Sequence, residues 1–488
     1  MNTEPAYIAT IGLEIHAELK TASKMFCSCK NDPDEERPNT NVCPICLGHP
    51  GTLPVLNHKA IKHVIRVGLS VGGTIADFTE WDRKNYFYPD IPKGYQISQY
   101  KYPLVSAGEL AGVVLERIHL EEDTAQSTHD THHKSLVNFN RSGVPLMELV
   151  TKPVIHDAAT AVRFAKELQL LLRYLGAGEA NMEKGEMRVE ANISVASPAD
   201  TAAHKFGTKT EVKNLNSFRA VERAIAFEID RQSRLLVEGK KVVQETRGWD
   251  DGANETYSQR TKESSHDYRY FPDPDIPKLK ISEIPEFTAD VLKKELPELP
   301  WVKRDRYKNE YAMTDKEVAV FVDDDLGILT KYFESTLGGL SKQDDKSVRL
   351  TINYFLTDYL GILKKEHAND WAAYVLTIEP LQFAGLIDLI TAGDVNSRGA
   401  KDILGMMFKE KDASARQLAD KHGLIQKSDA SDLIPIIEKI IADNQKAVTE
   451  YKAGKLASLQ FLTGQAMKAT RGAGNPEVVK KLLLEKLG

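Results

Sequence analysis

The stretch from Ile11 to Leu19 constrains the fold most, because it alternates strictly between apolar and polar side chains. Such alternation predicts a β-strand with one face seated on a hydrophobic core. Glu14, His16 and Glu18 then form a polar row with a spacing of roughly 7 Å, from a rise of ~3.3 Å per residue. Carboxylates and a neutral imidazole can bind a divalent cation, but an ordinary solvated strand face shows the same pattern.

The length of the chain, 488 residues, is sufficient for two to four domains with cores of their own. A hydrophobic content of 42% and a charged content of 27% are typical of a soluble globular protein. The sequence has neither an apolar run of ~18 residues nor a secretory signal, so we expect no membrane association. The expected location is the cytoplasm, where thiols stay reduced.

All four cysteines follow the first strand as two close pairs, Cys27 with Cys29 and Cys43 with Cys46. The segment between the pairs is polar and cannot build a core. Four thiolates at this spacing favour one tetrahedral structural Zn²⁺, with Zn–S distances near ~2.3 Å. Reduced cysteines without metal and a redox pair are the alternatives. A catalytic zinc is not expected, because four thiolates leave no position for water.

An unusual segment, Trp81–Gln96, combines aromatic residues, prolines and cations. The prolines preclude a regular helix, so the pattern predicts an ordered loop. Aromatic rings beside Arg83, Lys84 and Lys93 could stack on a base or ribose while a cation contacts phosphate. Alternatively, the aromatic rings anchor the loop to the core.

Carboxylates recur on several predicted strands, and one such strand would be ordinary. Four of them favour a shared acidic site for Mg²⁺ and phosphate, with Lys84, Lys209 and Lys213 as counter-charges. The sequence contains neither a Walker loop nor a dinucleotide glycine fingerprint, so another device would hold a nucleotide. The carboxylates are Glu14 on the first strand, Glu122 on Val113–Glu122, Glu190 on Met187–Val195 and Glu211 on Gly207–Lys213.

Strand and helix patterns predict an α+β protein whose first part is sheet-rich. Prolines cluster around Ile276–Pro300, and beyond Asp315 a helical period prevails. We therefore predict a first domain over 1–295, with the zinc-binding insertion near 27–46, and helical domains over 296–410 and 411–488. Further predictions are helices that start after Asn57, Asp157 and Ser217, and tail helices at Ser431–Ala453, at Lys455–Lys468 and after the Asn475 cap.

The C-terminal segment Tyr451–Gly488 is basic. It contains seven Lys or Arg residues and two acids, a local excess of +5 in a chain of net charge −6. Such a segment indicates contact with a polyanion, and a solvated lysine-rich helix is the alternative.

Several long motifs occur in one order over essentially the whole chain. Together they resemble the B subunit of the tRNA-dependent amidotransferases, the GatB family. The motifs are Gly12–His16, Cys43–Gly48, Asp82–Pro89, Glu121–Asp123, Lys213–Phe218, Asp267–Pro272, Tyr451–Lys455 and Gly464–Lys468.

The resemblance implies a ligase that uses ATP and Mg²⁺ to phosphorylate the side-chain carboxylate of misacylated Glu-tRNA(Gln) or Asp-tRNA(Asn). It implies a heterotrimer with the A and C subunits of that enzyme. The A subunit would be a glutaminase that supplies ammonia. The products are Gln-tRNA(Gln) and Asn-tRNA(Asn). The implied fold is a sheet-centred cradle, a helical domain and a small helical tail that contacts tRNA.

The resemblance also implies roles for individual residues. Glu14, His16, Glu122 and Glu211 would be catalytic residues and Mg²⁺ ligands. Glu190 would be a further ligand, although the family commonly has Asp there. Zinc would support the fold rather than the reaction, because only part of the family has the cysteines. Two other functions remain open, a tRNA-binding module with a degenerate acidic site and a metal-dependent phosphohydrolase acting alone. The implied nucleotide contacts are Lys84, Asn85, Tyr86 and Lys213.

Overall fold

A computed structural model describes residues 7–129, 134–261, 268–324, 327–367, 370–426, 430–470, 474 and 476–488. Asp267, Arg471 and Asn475, which figure in the sequence predictions, lie outside these residues. The chain forms two compact units, Met1–Pro300 and Trp301–Gly488. The boundaries at 295 and 410 stay predictions.

Unit 1 is built on a β-sheet with β1 (Ile8–Glu18) near its middle. Within the described ranges thirteen strands form this sheet. The other strands of unit 1 are β2 (Thr74–Ile75), β3 (Phe78–Thr79), β4 (Asp82–Asn85), β5 (Tyr95–Ser98), β6 (Val105–Ser106), β7 (Glu109–Leu110), β8 (Val113–Glu122), β9 (Gln126–His129), β10 (Ser135–Asn138), β11 (Pro145–Thr151), β12 (Met187–Ala196), β13 (Thr210–Leu215), β14 (Glu245–Asp250), β15 (Glu255–Thr261), β16 (Phe271–Pro272) and β17 (Leu279–Lys280). The main path of the large sheet is β15-β14-β13-β12-β1-β11-β8-β5-β4-β16, on which β13 and β14 are the only parallel pair in the described residues, and β2, β6 and β7 join beside it. Two separate two-stranded sheets pair β9 with β10 and β3 with β17.

The alternation in the opening stretch produces the predicted half-buried strand. The apolar residues Ile11, Leu13 and Ile15 of β1 are fully buried, and β12 and β11 flank this strand on its two sides. The polar residues of β1 therefore occupy the opposite face, at the centre of the sheet. Strand β13 begins at Thr210, three residues later than the predicted start at Gly207.

Five α-helices accompany the sheet within the described residues of unit 1, and the fourth, α4 (Phe218–Val237), packs on β12 and β13. The predicted starts are confirmed, because the side chains of Asn57, Asp157 and Ser217 accept hydrogen bonds from the backbone N–H groups of the first helical turns. The helices are α1 (His58–Ser70), α2 (Ala158–Tyr174), α3 (Pro198–Ala202), α4 (Phe218–Val237) and α5 (Ala289–Lys294).

Unit 2 is helical in its described residues, which confirms the predicted α+β class. A π-helical segment, Tyr354–Tyr359, joins α9 to α10. The helices are α6 (Pro300–Tyr311), α7 (Asp315–Val322), α8 (Ile328–Gly338), α9 (Asp345–Asn353), α10 (Leu360–Glu366), α11 (Pro380–Ala392), α12 (Ser397–Met407), α13 (Ala415–Lys421), α14 (Ala430–Asp443), α15 (Gln445–Lys452), α16 (Ala457–Ala469) and α17 (Pro476–Leu487).

The last four helices share an apolar core of their own, in which Leu433, Ile437, Leu462 and Leu483 are fully buried. The predicted helix Ser431–Ala453 is wrong in one respect, since it is divided into α14 and α15. Asn444 adopts φ −125° and ψ 44°, which is not helical. Among the described residues no single helix is long and apolar enough to cross a membrane, although one bent pair, Trp371–Thr377 with Pro380–Ala392, meets the length and composition test.

Candidate functional site

The polar face of β1 meets charged side chains from both neighbouring strands. Glu14 lies opposite Glu190 of β12, and His16 lies opposite Glu148 of β11. On the next strand, β8, His119 lies opposite Glu148. Because directly paired residues project to the same face of a sheet, these side chains collect into one cluster, which we call the acidic cluster.

One half of the acidic cluster consists of Glu14, Glu190 and Glu211, each from a different strand. One carboxylate oxygen of each lies within 4.8 Å of the others, close enough for a shared cation. The Lys213 ammonium lies 2.7 Å from Glu190 Oε2 and 3.9 Å from Glu211 Oε1. Lys213 therefore neutralises part of the negative charge and is placed to contact an anion beside a cation.

The other half contains His16, His119, Glu121 and Glu148. His16 Nε2 lies 3.4 Å from Glu121 and 3.5 Å from Glu148, and His119 Nε2 lies 3.4 Å from Glu148. Glu121 is 2% exposed, and its Oε2 atom has no hydrogen-bond partner among the described residues. A buried carboxylate oxygen without a donor costs free energy unless an ion or water satisfies it. The residues present thus fit a divalent cation.

Electrostatics within the acidic cluster favour binding of positive charge. Burial raises the pKa of Glu14, and the charges of Glu148 and Glu190 raise it further. Burial opposes protonation of His16, but its hydrogen bonds with Glu121 and Glu148 outweigh burial and raise its pKa well above the usual value. Carboxylates this close repel one another, so a cation that binds them all relieves the repulsion.

Glu122 does not join the acidic cluster. Adjacent strand residues face opposite sides of a sheet, and Glu122 meets the Lys93 ammonium at 2.5 Å and accepts a hydrogen bond of 3.0 Å from the Ile97 backbone N–H. The geometry therefore brings Glu121 next to His16, whereas the prediction named Glu122. The alternation along β8 could have separated the two acids in the sequence. Glu122 lies on the same face as the buried apolar residues Ile118 and Leu120, so Glu121 faces the other side.

Lys84 of β4 lies beside three tyrosines and interacts electrostatically with carboxylates of the acidic cluster. Its Nζ atom lies 5.1 Å from the ring centroid of Tyr268, and Tyr86 and Tyr270 each lie 6.0 Å from that ring. Burial is the largest single effect and lowers the pKa of Lys84, but the charges of Glu121 and Glu148 and the neighbouring tyrosines together outweigh burial and raise it overall. The ammonium thus stays charged between aromatic rings and carboxylates, an arrangement suited to a nucleotide phosphate.

Asn85 has a different environment from Lys84. Its side-chain amide donates to the backbone carbonyls of Tyr268 at 3.2 Å and Arg269 at 2.8 Å. These contacts join the end of β4 to the segment before β16, so the geometry gives Asn85 a structural task and does not direct its amide to a nucleotide. The alternative role of the aromatic residues in Trp81–Gln96, to anchor this segment to the core, holds for Trp81, which is buried. It does not hold for Phe87, which is exposed.

The four cysteines meet, as their spacing predicts. Their sulfur atoms all lie within 4.8 Å of one another, and the Cys43 and Cys46 sulfurs are 3.9 Å apart. Tetrahedral zinc with Zn–S distances of ~2.3 Å requires sulfur separations of about 3.8 Å. The pKa of Cys46 is lowered to about 5, chiefly by a hydrogen bond from Cys27. The cysteines therefore fit a zinc ion, which stays a prediction.

Two buried side chains support the cysteine cluster. The Asn140 side chain accepts hydrogen bonds of 2.9 Å from the backbone N–H groups of Thr40 and Asn41, which lie between the two pairs. Lys24 is 0% exposed, and its ammonium lies 4.0 Å from the Cys46 sulfur. Zinc with four thiolates carries a net negative charge, which this buried ammonium offsets in part.

Comparisons with known proteins decide the family. The GatB/GatE catalytic domain matches residues 9–285, and the GatB domain matches residues 331–487. The chain belongs to the GatB family. All residues of the acidic cluster fall within the matched GatB/GatE catalytic domain.

Full-length relatives agree with this GatB assignment. Each is named as the B subunit of an aspartyl/glutamyl-tRNA(Asn/Gln) amidotransferase. The protein of Dehalococcoides mccartyi (strain CBDB1) is 43% identical over 99% of both chains. That of Thermodesulfovibrio yellowstonii is 41% identical over 98% of this chain and 99% of its own. That of Synechocystis sp. is 40% identical over 98% of this chain and 97% of its own.

The zinc prediction for this GatB protein can be tested by metal analysis. We expect about one zinc per reduced chain. Cys43→Ser should lose the metal and lower Tm by about 5 °C or more, because loss of a metal staple costs several kcal/mol and each kcal/mol shifts Tm of a large domain by about 2 °C. Ser28→Ala, an exposed change between two cysteines, should keep zinc and Tm. Reduced protein without zinc would refute the assignment.

Proposed function

We propose that this chain is the B subunit of an aspartyl/glutamyl-tRNA(Asn/Gln) amidotransferase and that its acidic cluster activates the side-chain carboxylate of misacylated tRNA. The relatives' names supply the substrate class, Glu-tRNA(Gln) and Asp-tRNA(Asn). The observation that carries the chemistry is the convergence of carboxylates and two histidines from five adjacent strands on one face. The proposal includes the A and C subunits as partners, with ammonia supplied by the A subunit. It also includes a cytoplasmic location.

The reaction needs activation because a carboxylate is a poor electrophile toward ammonia, its leaving group being oxide. An oxygen of the carboxylate bonds to the terminal phosphorus of ATP while the bond from that phosphorus to ADP breaks. Ammonia then bonds to the acyl carbon, phosphate leaves and the nitrogen loses a proton, which yields the amide. Phosphoryl transfer chiefly requires positioned reactants and neutralised charge.

The two halves of the acidic cluster would divide this work. Glu14, Glu190 and Glu211 would hold one Mg²⁺, and the half around His16, Glu121 and Glu148 a second. Bound magnesium would neutralise phosphate oxygens and align them for in-line transfer. The protein's own Lys213 and Lys84 would contact phosphate oxygens from two sides. The three tyrosines around Lys84 would give the nucleotide an aromatic surface.

Lys84 provides a test of nucleotide binding. Lys84→Met keeps the aliphatic stem but removes the ammonium, so we expect kcat/KM for ATP to fall by about 100-fold, because a charge-assisted phosphate contact is lost. The assay is ATP cleavage by the assembled enzyme with misacylated tRNA. Lys101→Met is the matched control, since Lys101 also lies 5.1 Å from a tyrosine ring but is exposed. Equal ATP kinetics in both variants would exclude a phosphate contact of Lys84.

The two competing functions predict different ATP kinetics. Misacylated tRNA should stimulate Mg²⁺-dependent ATP cleavage if the proposal holds. Cleavage that is indifferent to tRNA would favour a phosphohydrolase acting alone. Binding of tRNA without any ATP cleavage by the assembled enzyme would favour a binding module whose acidic site is degenerate.

A further inference from the structure

The strand next to Glu211 carries a buried hydroxyl that none of the roles above uses. β14 runs parallel to β13, and their register places Thr246 opposite Glu211. The Thr246 hydroxyl donates a hydrogen bond of 2.7 Å to Oε2 of Glu211, and Thr246 is 1% exposed. The other carboxylate oxygen, Oε1, lies 3.9 Å from the Lys213 ammonium. The two oxygens of Glu211 thus have different partners.

The register with β13 places Thr246 and Glu211 on the same face of the sheet, which allows the hydroxyl to reach the carboxylate. The pairing of β14 with β15 is irregular between Thr246 and Arg247, and such irregularities re-aim side chains, often beside active sites. The Arg247 guanidinium joins β14 to β15, because it donates to the Thr256 hydroxyl at 2.8 Å. It also donates to Glu245 of its own strand at 2.5 Å. Thr246 is therefore held by a fixed strand.

We propose that Thr246 is a positioning residue for the cation half-site of Glu14, Glu190 and Glu211. Its hydroxyl holds Glu211 in one conformation, so the carboxylate does not lose side-chain freedom when a cation binds. This inference rests on the proposed function, specifically on a cation bound by these three carboxylates. Mutation of a residue that hydrogen-bonds to a metal ligand typically lowers metal affinity 10- to 100-fold.

Mn²⁺ binding to the purified full-length chain, followed by electron paramagnetic resonance, tests the inference without the reaction. Thr246→Val keeps the side-chain shape and removes the hydroxyl. We expect its Mn²⁺ affinity to fall about tenfold and its Tm to fall by a few °C, because the buried Glu211 carboxylate loses a donor. Thr246→Ser, which restores the donor, should return the affinity to within about twofold of wild type. In the assembled enzyme, Thr246→Val should need about tenfold more Mg²⁺ for half-maximal ATP cleavage.

A neighbouring threonine supplies the matched control. Thr210 is fully buried on β13, directly before Glu211, and its hydroxyl has no hydrogen-bond partner among the described residues. Thr210→Val should therefore leave Mn²⁺ affinity unchanged. Equal losses in Thr210→Val and Thr246→Val would assign the effect to packing and overturn the inference.

Glu211→Gln separates failure of the inference from failure of the proposed function. Weakened Mn²⁺ binding in Glu211→Gln together with unchanged binding in Thr246→Val would overturn the positioning role alone. Unchanged binding in Glu211→Gln would overturn the cation half-site and, with it, both proposals.

Discussion

Glu121→Gln is expected to lower tRNA-dependent ATP cleavage by at least about 100-fold, equivalent to about 2.7 kcal/mol of transition-state stabilisation. The substitution keeps the size of the side chain but removes a negative charge that lies 3.4 Å from His16. It also removes a carboxylate oxygen that has no hydrogen-bond partner among the described residues and is therefore available to a cation. Amide formation should fall in parallel, because it depends on the activated carboxylate.

Two residues of the same strand control for this result. Glu116 is exposed on β8, so Glu116→Gln should leave the rate unchanged. Glu122→Gln disrupts the pair with Lys93 on the other face of the sheet, so its Mg²⁺ dependence should stay that of wild type even if its rate changes. A Glu121→Gln enzyme with wild-type ATP kinetics would contradict the assignment of this sheet face to phosphoryl transfer.

Removal of residues 430–488 is expected to weaken binding of misacylated tRNA by about 100-fold and to leave ATP affinity unchanged. The deletion removes α14–α17 together with the core they share, in which Leu433 and Leu483 are fully buried. It also removes the basic C-terminal segment, whose contacts with phosphates would release counterions. Filter binding of labelled tRNA at several salt concentrations measures the affinity and its salt dependence.

A charge variant of the tail distinguishes lost contacts from lost folding. Lys455 already pairs with Glu450 at 2.9 Å, and Lys486 with Glu438 at 2.6 Å. Combined replacement of Lys452, Lys468 and Lys480 by Gln should weaken tRNA binding and reduce the salt slope, with Tm unchanged. Equal tRNA affinity in the protein lacking residues 430–488 and in wild type would show that the basic segment is a solvated helix surface without a role in tRNA binding.

Local patterns predicted some elements of unit 1, among them β1, β8, β12 and three helix starts. They missed β11, β14 and β15, and they predicted a loop over Trp81–Gln96, where β4 and the start of β5 lie. Strict alternation identified β1 because a strand buried on one face must repeat every second residue. Cap residues identified the starts of α1, α2 and α4, because each satisfies backbone donors within a few residues. Both signals are contained in short stretches, so no knowledge of the tertiary structure was needed.

Strand register was needed for the rest of the acidic cluster. Glu148 is a single acid within the otherwise apolar β11, and His119 follows the buried Ile118. Neither stands out until pairing of β1, β11 and β8 places both beside His16. Long-range pairing also decides between Glu121 and Glu122, which the motif alone does not separate. The break at Asn444 was missed because the apolar period continues across it.

An isotope measurement tests the central claim most directly. Misacylated tRNA whose side-chain carboxylate carries ¹⁸O in both positions is amidated by the assembled enzyme, and the released phosphate is analysed by mass spectrometry. Attack of the carboxylate on ATP predicts one ¹⁸O in phosphate for each amide formed. The Glu121→Gln enzyme should release labelled phosphate at least about 100-fold more slowly, in the same one-to-one ratio to amide. Phosphate that carries only solvent oxygen while amide accumulates would contradict carboxylate phosphorylation.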